Sequence, residues 1–337
     1  MKALRAKVAR TAVRVLILFC MVAMIAGLGY LCWSPGKEVK DGRHDLRSNG
    51  IWLQHGWLGD DNWFERNNRE PAKFRNIESI RRLAGKLQEH GIKDVFPHLC
   101  PCSPDGRIAE VDDAQTNLFL DFFEEFRVIP WVGGVLNLHC RLESEGWRER
   151  FVDSIVELLN RHPRLAGVQV NIEPLPTGNE HYLKLLSELR SELPEGKIIS
   201  IAAYPPPTAW HPIPEVHWDE DYFRKVASHA DQMVPMMYDT AIHFPKVYQS
   251  LMVAWTGEVL SWSGEAEVLL GIPAYDDTEV SYHDPRVENI SNALLGIHGF
   301  LSKSETLPVN YAGIALYSEW EMEEEEWEEI KLSFEKR

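Results

Sequence analysis

The stretch Leu165-Ala-Gly-Val-Gln-Val-Asn-Ile-Glu-Pro174 is an apolar run that ends on a carboxylate. In a buried parallel strand, alternate side chains point to opposite faces of the sheet. The aliphatic residues of this run would pack against an outer layer, while Gln169, Asn171 and Glu173 would share the inner face. A buried ionisable side chain costs stability unless it is used. Glu173 is therefore the first candidate for a catalytic acid.

Working outward from this strand, apolar segments alternate with amphipathic ones along the whole chain after about residue 48. This alternation predicts a parallel sheet covered by helices. We predict eight strands: Gly50–His55, Asp94–His98, Val128–Val132, Gly167–Ile172, Ile198–Tyr204, Gln232–Met237, Val268–Ala274 and Gly313–Tyr317. Eight strand-helix units in residues 48–337 predict an α/β fold, a single (β/α)8 TIM barrel without a second domain.

The residues that follow the predicted strands would lie together, because barrel active sites form at the carboxyl ends of the strands. These positions are rich in carboxylates, tyrosines and tryptophans, and they carry no Ser-His-Asp arrangement and no Gly-rich phosphate loop. Acyl transfer and nucleotide chemistry are therefore disfavoured. Aromatic faces beside carboxylates are typical of sites that bind sugars and cleave glycosidic bonds.

The N-terminus has its own organisation. Residues 1–14 carry only basic charges, and the uncharged run from Val15 to Trp33 is long enough to span a bilayer as a helix. Basic residues before the run place the N-terminus in the cytoplasm and the barrel on the other side. We predict an uncleaved anchor over residues 15–33 and a short tether over residues 34–47. A cleaved signal peptide is the alternative, and it also exports the barrel.

Charge and cysteine content limit the partners. The chain has a net charge of −16 with 35 basic and 51 acidic residues, and five of the basic ones precede the apolar run, so the remainder is still more acidic and nucleic acid is an improbable partner. In an exported domain we expect one disulfide, from Cys140 to either Cys100 or Cys102. These cysteines with His139 or His98 offer zinc ligands, but Cys-x-Cys is not the usual spacing of structural zinc sites. We predict no metal and no cofactor.

Several motifs occur in order along these predicted strands. They are Gly133-Gly134 after the third strand, Leu165–Glu173 on the fourth, Met236-Met-Tyr-Asp239 after the sixth, Gly271-Ile-Pro-Ala-Tyr275 on the seventh and Gly313–Trp320 on the eighth. In this order the chain resembles glycoside hydrolase family 18, the chitinase-like TIM barrels. The resemblance spans nearly the whole barrel.

The strand-four motif departs from the family pattern Asp-Gly-x-Asp-x-Asp-x-Glu. Ala166, Gln169 and Asn171 stand where the family has its aspartates, and only Glu173 is retained. In the family, the aspartate at the position of Asn171 orients the 2-acetamido group of the substrate, whose oxygen attacks the anomeric carbon. The Asn-x-Glu arrangement resembles the endo-β-N-acetylglucosaminidases of family 85. An asparagine carbonyl still accepts the acetamido N–H, but it brings no negative charge to the reacting centre.

The resemblance implies roles for individual residues. Glu173 would be the general acid and base, Asn171 would position the acetamido group, and Tyr238 would bind its oxygen. Asp239 would contact the sugar or support Glu173, and Tyr317 would form the floor under the reacting ring. Further sugar contacts are expected from Trp131, Trp210, Trp320, Tyr275 and Gln54. The predicted function is an exported, membrane-tethered hydrolase of β-linked N-acetylglucosamine glycans that uses substrate-assisted retaining catalysis.

Two other functions fit parts of the sequence. Loss of the aspartates is compatible with a carbohydrate-binding barrel without activity. A retaining glycosidase with two carboxylates would pair Glu173 with Asp276, Asp277 or Glu319 at a separation of about 5 to 5.5 Å. The histidines that follow the strands are interpreted as loop or rim residues rather than ligands: His55, His98, His211, His217, His243 and His283.

Overall fold

The protein forms one parallel barrel in the computed structural model, which describes residues 2–209, 211–277 and 280–336. The strands are β1 Asn49–Leu53, β2 Ile92–Pro97, β3 Arg127–Val128, β4 Trp131–Val135, β5 Gly167–Glu173, β6 Ile198–Ala203, β7 Gln232–Pro235, β8 Glu267–Pro273 and β9 Tyr311–Tyr317. They form a 9-stranded sheet in the order β3-β2-β1-β9-β8-β7-β6-β5-β4. Each ladder within it is parallel. The predicted TIM barrel is confirmed.

Strands β3 and β4 together take the place predicted for one continuous third strand, Val128–Val132. Ile129 and Pro130 separate the two strands. The ladder of backbone hydrogen bonds is interrupted here because proline has no N–H to donate to it. β3 pairs with β2, and β4 pairs with β5. A bridge between His98 and Trp131 joins the two edges and closes the barrel.

Helices cover the outside of the sheet. They are α2 Asp61–Arg66, α3 Ile77–Glu89, α4 Asp113–Phe122, α5 Glu145–Arg161, α6 Glu180–Glu192, α7 Glu220–Ala227, α8 Pro245–Trp262, α9 Ile290–Leu301 and α10 Glu324–Ser333. The apolar face of α5 is buried through Trp147, Phe151 and Ile155. Its first turn is capped by Ser144, whose side chain accepts a hydrogen bond from the N–H of Trp147. Local sequence and packing therefore agree in this helix.

Polar side chains fill the barrel interior, as the alternation in the fourth predicted strand indicates. Trp52 donates its indole N–H to Gln169 at 2.7 Å, and Gln169 donates to Ser200 at 3.1 Å. The chain of hydrogen bonds continues through Gln232 to Asp94, which is paired with Arg127 at 2.6 Å. Each buried polar side chain in this hydrogen-bonded series has a partner, so its burial does not carry the free-energy cost of an unpaired polar group. The barrel therefore tolerates charged side chains at the strand ends.

The N-terminal segment forms a separate helix, α1 Lys2–Cys32. Its residues Val13–Cys32 are long and apolar enough to cross a membrane, and none of this span is buried in the protein. The helix is therefore a candidate transmembrane span, in agreement with the predicted run from Val15 to Trp33.

Candidate active site

The carboxyl end of β5 brings Asn171 and Glu173 together. Because they are two residues apart on one strand, both side chains point to the same side. The amide nitrogen of Asn171 donates to the carboxylate of Glu173 at 2.5 Å. The amide oxygen of Asn171 is buried and has no hydrogen-bond donor among the residues that the structure describes. The pair thus presents a carboxyl group beside an acceptor that is available to a ligand N–H.

The environment of Glu173 favours its protonated form. Burial raises the pKa of the Glu173 carboxyl above its usual value, and the negative charge of Asp239 raises it further. The hydrogen bond from Asn171 acts in the opposite direction and lowers this pKa, but the net shift is upward. A carboxyl group that keeps its proton at higher pH is suited to general acid catalysis.

We expect Asp239→Asn to move the alkaline limb of the pH dependence of kcat/KM to lower pH. A general acid must be protonated, and removal of the Asp239 charge removes one cause of the raised pKa of Glu173. The measurement is kcat/KM against pH for both proteins. Asp276→Asn is the matched control, because Asp276 is an exposed carboxylate after β8. An unchanged limb in Asp239→Asn, or an equal shift in the control, would contradict this assignment.

An aromatic cluster lies next to this pair, with Tyr317 at its centre. The ring of Tyr317 stacks on Tyr238 with a centroid distance of 5.3 Å and an angle of 15°. Tyr275 and Trp320 each meet it edge-on at 5.5 Å, and Trp131 lies 6.3 Å away. Burial raises the pKa of Tyr238 well above its usual value, so its hydroxyl remains a hydrogen-bond donor. The structure thus brings together the predicted tyrosines and two of the predicted tryptophans.

Two adjoining cavities extend from the pair toward the loops after β1 and β2. The first, of about 410 Å³, is lined by Asn171, Glu173 and Trp131. The second, of about 370 Å³, contains Gln54 and Trp320. Both share the side chains of His55, Trp63 and His98. Cavities of this size and polarity are typical of small-molecule and oligosaccharide sites.

Asp239 is held by residues that are distant in the sequence. It adopts a left-handed backbone conformation with φ of 61°, which aspartate tolerates better than most residues. Its carboxylate accepts a hydrogen bond from the hydroxyl of Tyr275, and His283 lies 3.4 Å from it. The buried carboxylate of Glu288 accepts the N–H of Thr240 with both oxygens, at 3.1 and 3.0 Å. This network fixes the turn that follows β7.

The network also contains the kinds of side chain that bind metal ions, an imidazole and two carboxylates. Ligand atoms of Asp239, His283 and Glu288 all lie within 4.8 Å of one another. Burial opposes a charge on His283, but the two carboxylates and the carbonyl of Tyr275 raise the pKa of its imidazole on balance. Both carboxylates face the Nδ1 atom of His283, at 3.4 Å from Asp239 and 4.0 Å from Glu288, so a protonated imidazole would be attracted to both of them.

Comparison with known proteins decides the family. The model of the glycosyl hydrolases family 18 matches residues 114–321 of the 337 residues. The chain belongs to glycosyl hydrolase family 18. It is a glycosidase of the chitinase-like type, and the resemblance seen in the sequence is confirmed. No curated protein matches the chain.

Solved structures with the same fold have low sequence identity to this chain. A chitinase from Chromobacterium violaceum has 15% identity and a TM-score of 0.58, and the match covers 85% of this chain and 98% of that one. The spore cortex-lytic enzyme SleL from Bacillus cereus has 11% identity and a TM-score of 0.56, with 85% and 74% covered. A fungal endo-β-N-acetylglucosaminidase of family 18 has 14% identity and a TM-score of 0.53, with 86% and 97% covered. At these identities the likeness establishes the fold.

Within this family 18 barrel, the site contains residues that the sequence did not single out as sugar contacts. Trp63 stacks on His55 at 4.0 Å, and His55 lies 3.9 Å from His98. Tyr204 is buried close enough to Glu173 for the carboxylate to raise its pKa. Tyr204 ends a predicted strand and Trp63 follows β1 by ten positions, so both lie at or near strand ends, but neither is among the sugar contacts predicted from the sequence. Trp210, a predicted sugar contact, lies outside the described residues.

Cys102 and Cys140 lie beside the active site, where the loops after β2 and β4 meet. Their sulfur atoms are 3.8 Å apart and both residues are buried. Of the two partners predicted for Cys140, this geometry favours Cys102. Cys100 instead directs its sulfur toward the carbonyl of Trp131 at 3.5 Å.

In air-oxidised protein we expect a disulfide between Cys102 and Cys140. A bridge between residues 38 positions apart stabilises the folded state by about 3 to 4 kcal/mol in the chain-entropy model. Peptide mapping without reductant tests the pairing, and denaturation of Cys140→Ser tests the stability. Cys100→Ser is the control, and a bridge that involves Cys100 would contradict the expectation.

Proposed function

We propose that the chain is an exported, membrane-anchored glycosidase that cleaves glycans at β-linked N-acetylglucosamine by substrate-assisted catalysis. The observation that carries the proposal is the Asn171–Glu173 pair. One residue supplies a carboxyl group whose pKa burial raises above its usual value, and the other supplies a buried amide oxygen without a donor among the described residues. A 2-acetamido group offers the N–H that this oxygen lacks.

The proposed mechanism uses these positions as follows. Glu173 donates its proton to the glycosidic oxygen as the bond to the anomeric carbon breaks. The acetamido oxygen forms the new bond to the anomeric carbon, which gives an oxazolinium ion and needs no enzyme nucleophile. Asn171 accepts the acetamido N–H, and the hydroxyl of Tyr238 donates to the acetamido oxygen. The ionised Glu173 then removes a proton from water, which opens the oxazolinium ring with overall retention.

The surrounding aromatic residues support a sugar ligand. Tyr317 would form the floor under the reacting ring, since it lies at the centre of the aromatic cluster. Trp131 lines the cavity that contains Glu173, and Trp320 and Gln54 line its neighbour. Neighbouring sugars of an oligosaccharide would occupy these cavities. Asp239 would keep the pKa of Glu173 high rather than act as a nucleophile.

The experiment compares β-1,4-linked N-acetylglucosamine oligomers with glucose oligomers of the same linkage and length. We expect cleavage of the acetamido sugars alone, with the β-anomer formed first when products are followed by NMR. A thiazoline analogue of the cyclic intermediate should inhibit, because transition-state and intermediate mimics bind more tightly than substrates. Equal cleavage of both oligomers would indicate a two-carboxylate enzyme. Binding without cleavage would indicate a carbohydrate-binding barrel.

The location in the cell is the second part of the proposal. The basic residues at positions 2, 5, 7, 10 and 14 precede the candidate span, which favours a cytoplasmic N-terminus and an extracytoplasmic barrel. In this arrangement residues 15–33 anchor the enzyme to the membrane.

A further inference from the structure

The apolar helix α1 meets the barrel at the end that carries the active site. Lys246, in the first turn of α8, donates to the carbonyl oxygens of Tyr30 and Leu31 at 3.0 and 2.8 Å. Phe244 packs edge-on against Tyr30, with ring centroids 6.1 Å apart. α8 follows β7, so its first turn lies at the carboxyl ends of the strands, where the active site lies. The end of α1 is therefore fixed beside the catalytic face.

The segment after α1 then runs along the barrel wall to the opposite end. The N–H of Lys37 donates to the carbonyl of Leu295, in the middle of α9, at 2.9 Å. Further on, the carbonyl of His44 accepts a hydrogen bond from Tyr311, at the start of β9, at 2.9 Å. The predicted tether thus follows the barrel surface from the catalytic face downward, and Tyr30 and Trp33 lie at its upper end. Aromatic residues at the end of a span mark the membrane-water interface.

Large apolar side chains are exposed on three loops of this same face. They are Ile213 after β6, Phe244 after β7 and Tyr282 after β8, with exposed fractions of 41%, 61% and 51%. The loops after β7 and β8 are joined by a hydrogen bond from the N–H of Ala241 to the carbonyl of Tyr282 at 2.8 Å. Phe244 also contacts Tyr30 of the candidate span. The apolar loops are thus continuous with the segment that would enter the bilayer.

We propose that these three loops, the membrane rim, rest on the lipid bilayer in which α1 is embedded, so that the catalytic face opens next to the lipid surface. Ile213, Phe244 and Tyr282 would insert between lipid headgroups, as apolar groups at a membrane interface do. With a net charge of −16, the protein gains nothing from anionic lipid, so a zwitterionic surface is the expected partner. The substrates would be glycans held at that surface. The inference rests on the proposed anchoring and not on the proposed chemistry.

Lipid photocrosslinking of the full chain tests the proposal. The protein is reconstituted in phosphatidylcholine vesicles that contain a small fraction of phosphatidylcholine with a diazirine near the headgroup, and adducts are mapped by mass spectrometry. We expect adducts on the peptides with Ile213, Phe244 and Tyr282 as well as on α1. Val309 is the internal control, because it is fully exposed and precedes β9 at the opposite end of the barrel. Adducts confined to α1, or equally frequent at Val309, would overturn the proposal.

Variants add a second measurement. The triple variant Ile213→Ser, Phe244→Ser and Tyr282→Ser should lower labelling of the loops after β6, β7 and β8 by roughly tenfold, while labelling of α1 stays unchanged. The matched control is Val309→Ser with Leu332→Ser, two exposed apolar residues outside the membrane rim. Circular dichroism establishes that both variants are folded. Labelling that is equal in the two variants would overturn the proposal.

Activity assays on the same reconstituted proteins distinguish a failure of the membrane orientation from a failure of the proposed function. The parent protein is assayed on an N-acetylglucosamine oligomer attached to a vesicle lipid and on the free oligomer. We expect the ratio of the two rates to fall in the triple variant and to stay constant in the control variant. An unchanged ratio in the triple variant would count against the docked orientation. Crosslinked loops in a protein that cleaves neither substrate would support the orientation and contradict the proposed cleavage of N-acetylglucosamine glycans.

Discussion

Glu173→Gln is expected to reduce kcat on N-acetylglucosamine oligomers by roughly 10²- to 10⁴-fold, the usual contribution of general acid-base catalysis. The glutamine keeps the shape of the side chain and an oxygen that accepts the hydrogen bond now made by Asn171. KM should therefore change little, since the lost interaction is one made in the transition state. Steady-state kinetics on an oligomer of defined length checks both parts.

Substrates with different leaving groups test the role of Glu173 as general acid more directly. A substrate with an acidic phenol as leaving group needs less protonation, so Glu173→Gln should lose less activity on a nitrophenyl glycoside than on the oligomer. Glu319→Gln is the matched control. Glu319 also follows a strand end and burial raises its pKa, but its carboxylate accepts a hydrogen bond from the amide nitrogen of Gln54 at 3.4 Å. If Glu319→Gln loses more activity than Glu173→Gln, the acid has been misassigned.

The second large effect is expected from Gly133→Ala, which should lower the free energy of unfolding by about 3 to 5 kcal/mol. Gly133 has φ of 133°, and a Cβ there would lie 1.8 Å from the carbonyl oxygen of Asn171. The backbone of β4 pairs with β5 at this point, Gly133 opposite Asn171. Relief of the clash would require β4 to move away from the strand that carries the active-site pair. We therefore expect activity to fall together with stability.

Urea denaturation, followed by far-UV circular dichroism, measures the loss of stability. Gly85→Ala is the control, because Gly85 lies in α3 and a Cβ there has no atom within 4 Å among the described residues. Alanine should stabilise that helix by about 0.5 to 1 kcal/mol. A Gly133→Ala protein with parental stability would show that β4 and β5 are less tightly paired than the geometry indicates.

Much of the fold could be predicted from local sequence. Period-two alternation in Leu165–Pro174 gave the strand and the inward direction of Asn171 and Glu173, because side-chain direction in a strand depends on position alone. The family motifs then placed Tyr238 after the sixth predicted strand and Tyr317 on the eighth. The break between β3 and β4 was missed, although Pro130 signals it: a proline cannot donate within a ladder.

The network around Asp239 could not be predicted in the same way. Contacts of Asp239 with His283 and of Thr240 with Glu288 join residues more than forty positions apart. No local periodicity encodes such pairs, since they depend on how two loops fold over each other. His283 was interpreted from sequence as a loop or rim residue. It does lie in a loop, but its side chain is buried.

The amide oxygen of Asn171 has a consequence for the melting behaviour of the protein. A buried acceptor with no donor among the described residues carries a desolvation cost in the ligand-free fold, on the order of 1 to 3 kcal/mol. A sugar that brings an N–H removes this cost and binds only the folded state. At a ligand concentration about 100 times Kd, such binding raises the free energy of unfolding by about 2.7 kcal/mol. In thermal denaturation with a panel of glycans, acetamido sugars should therefore raise the Tm more than their hydroxyl counterparts do. This measurement does not require turnover.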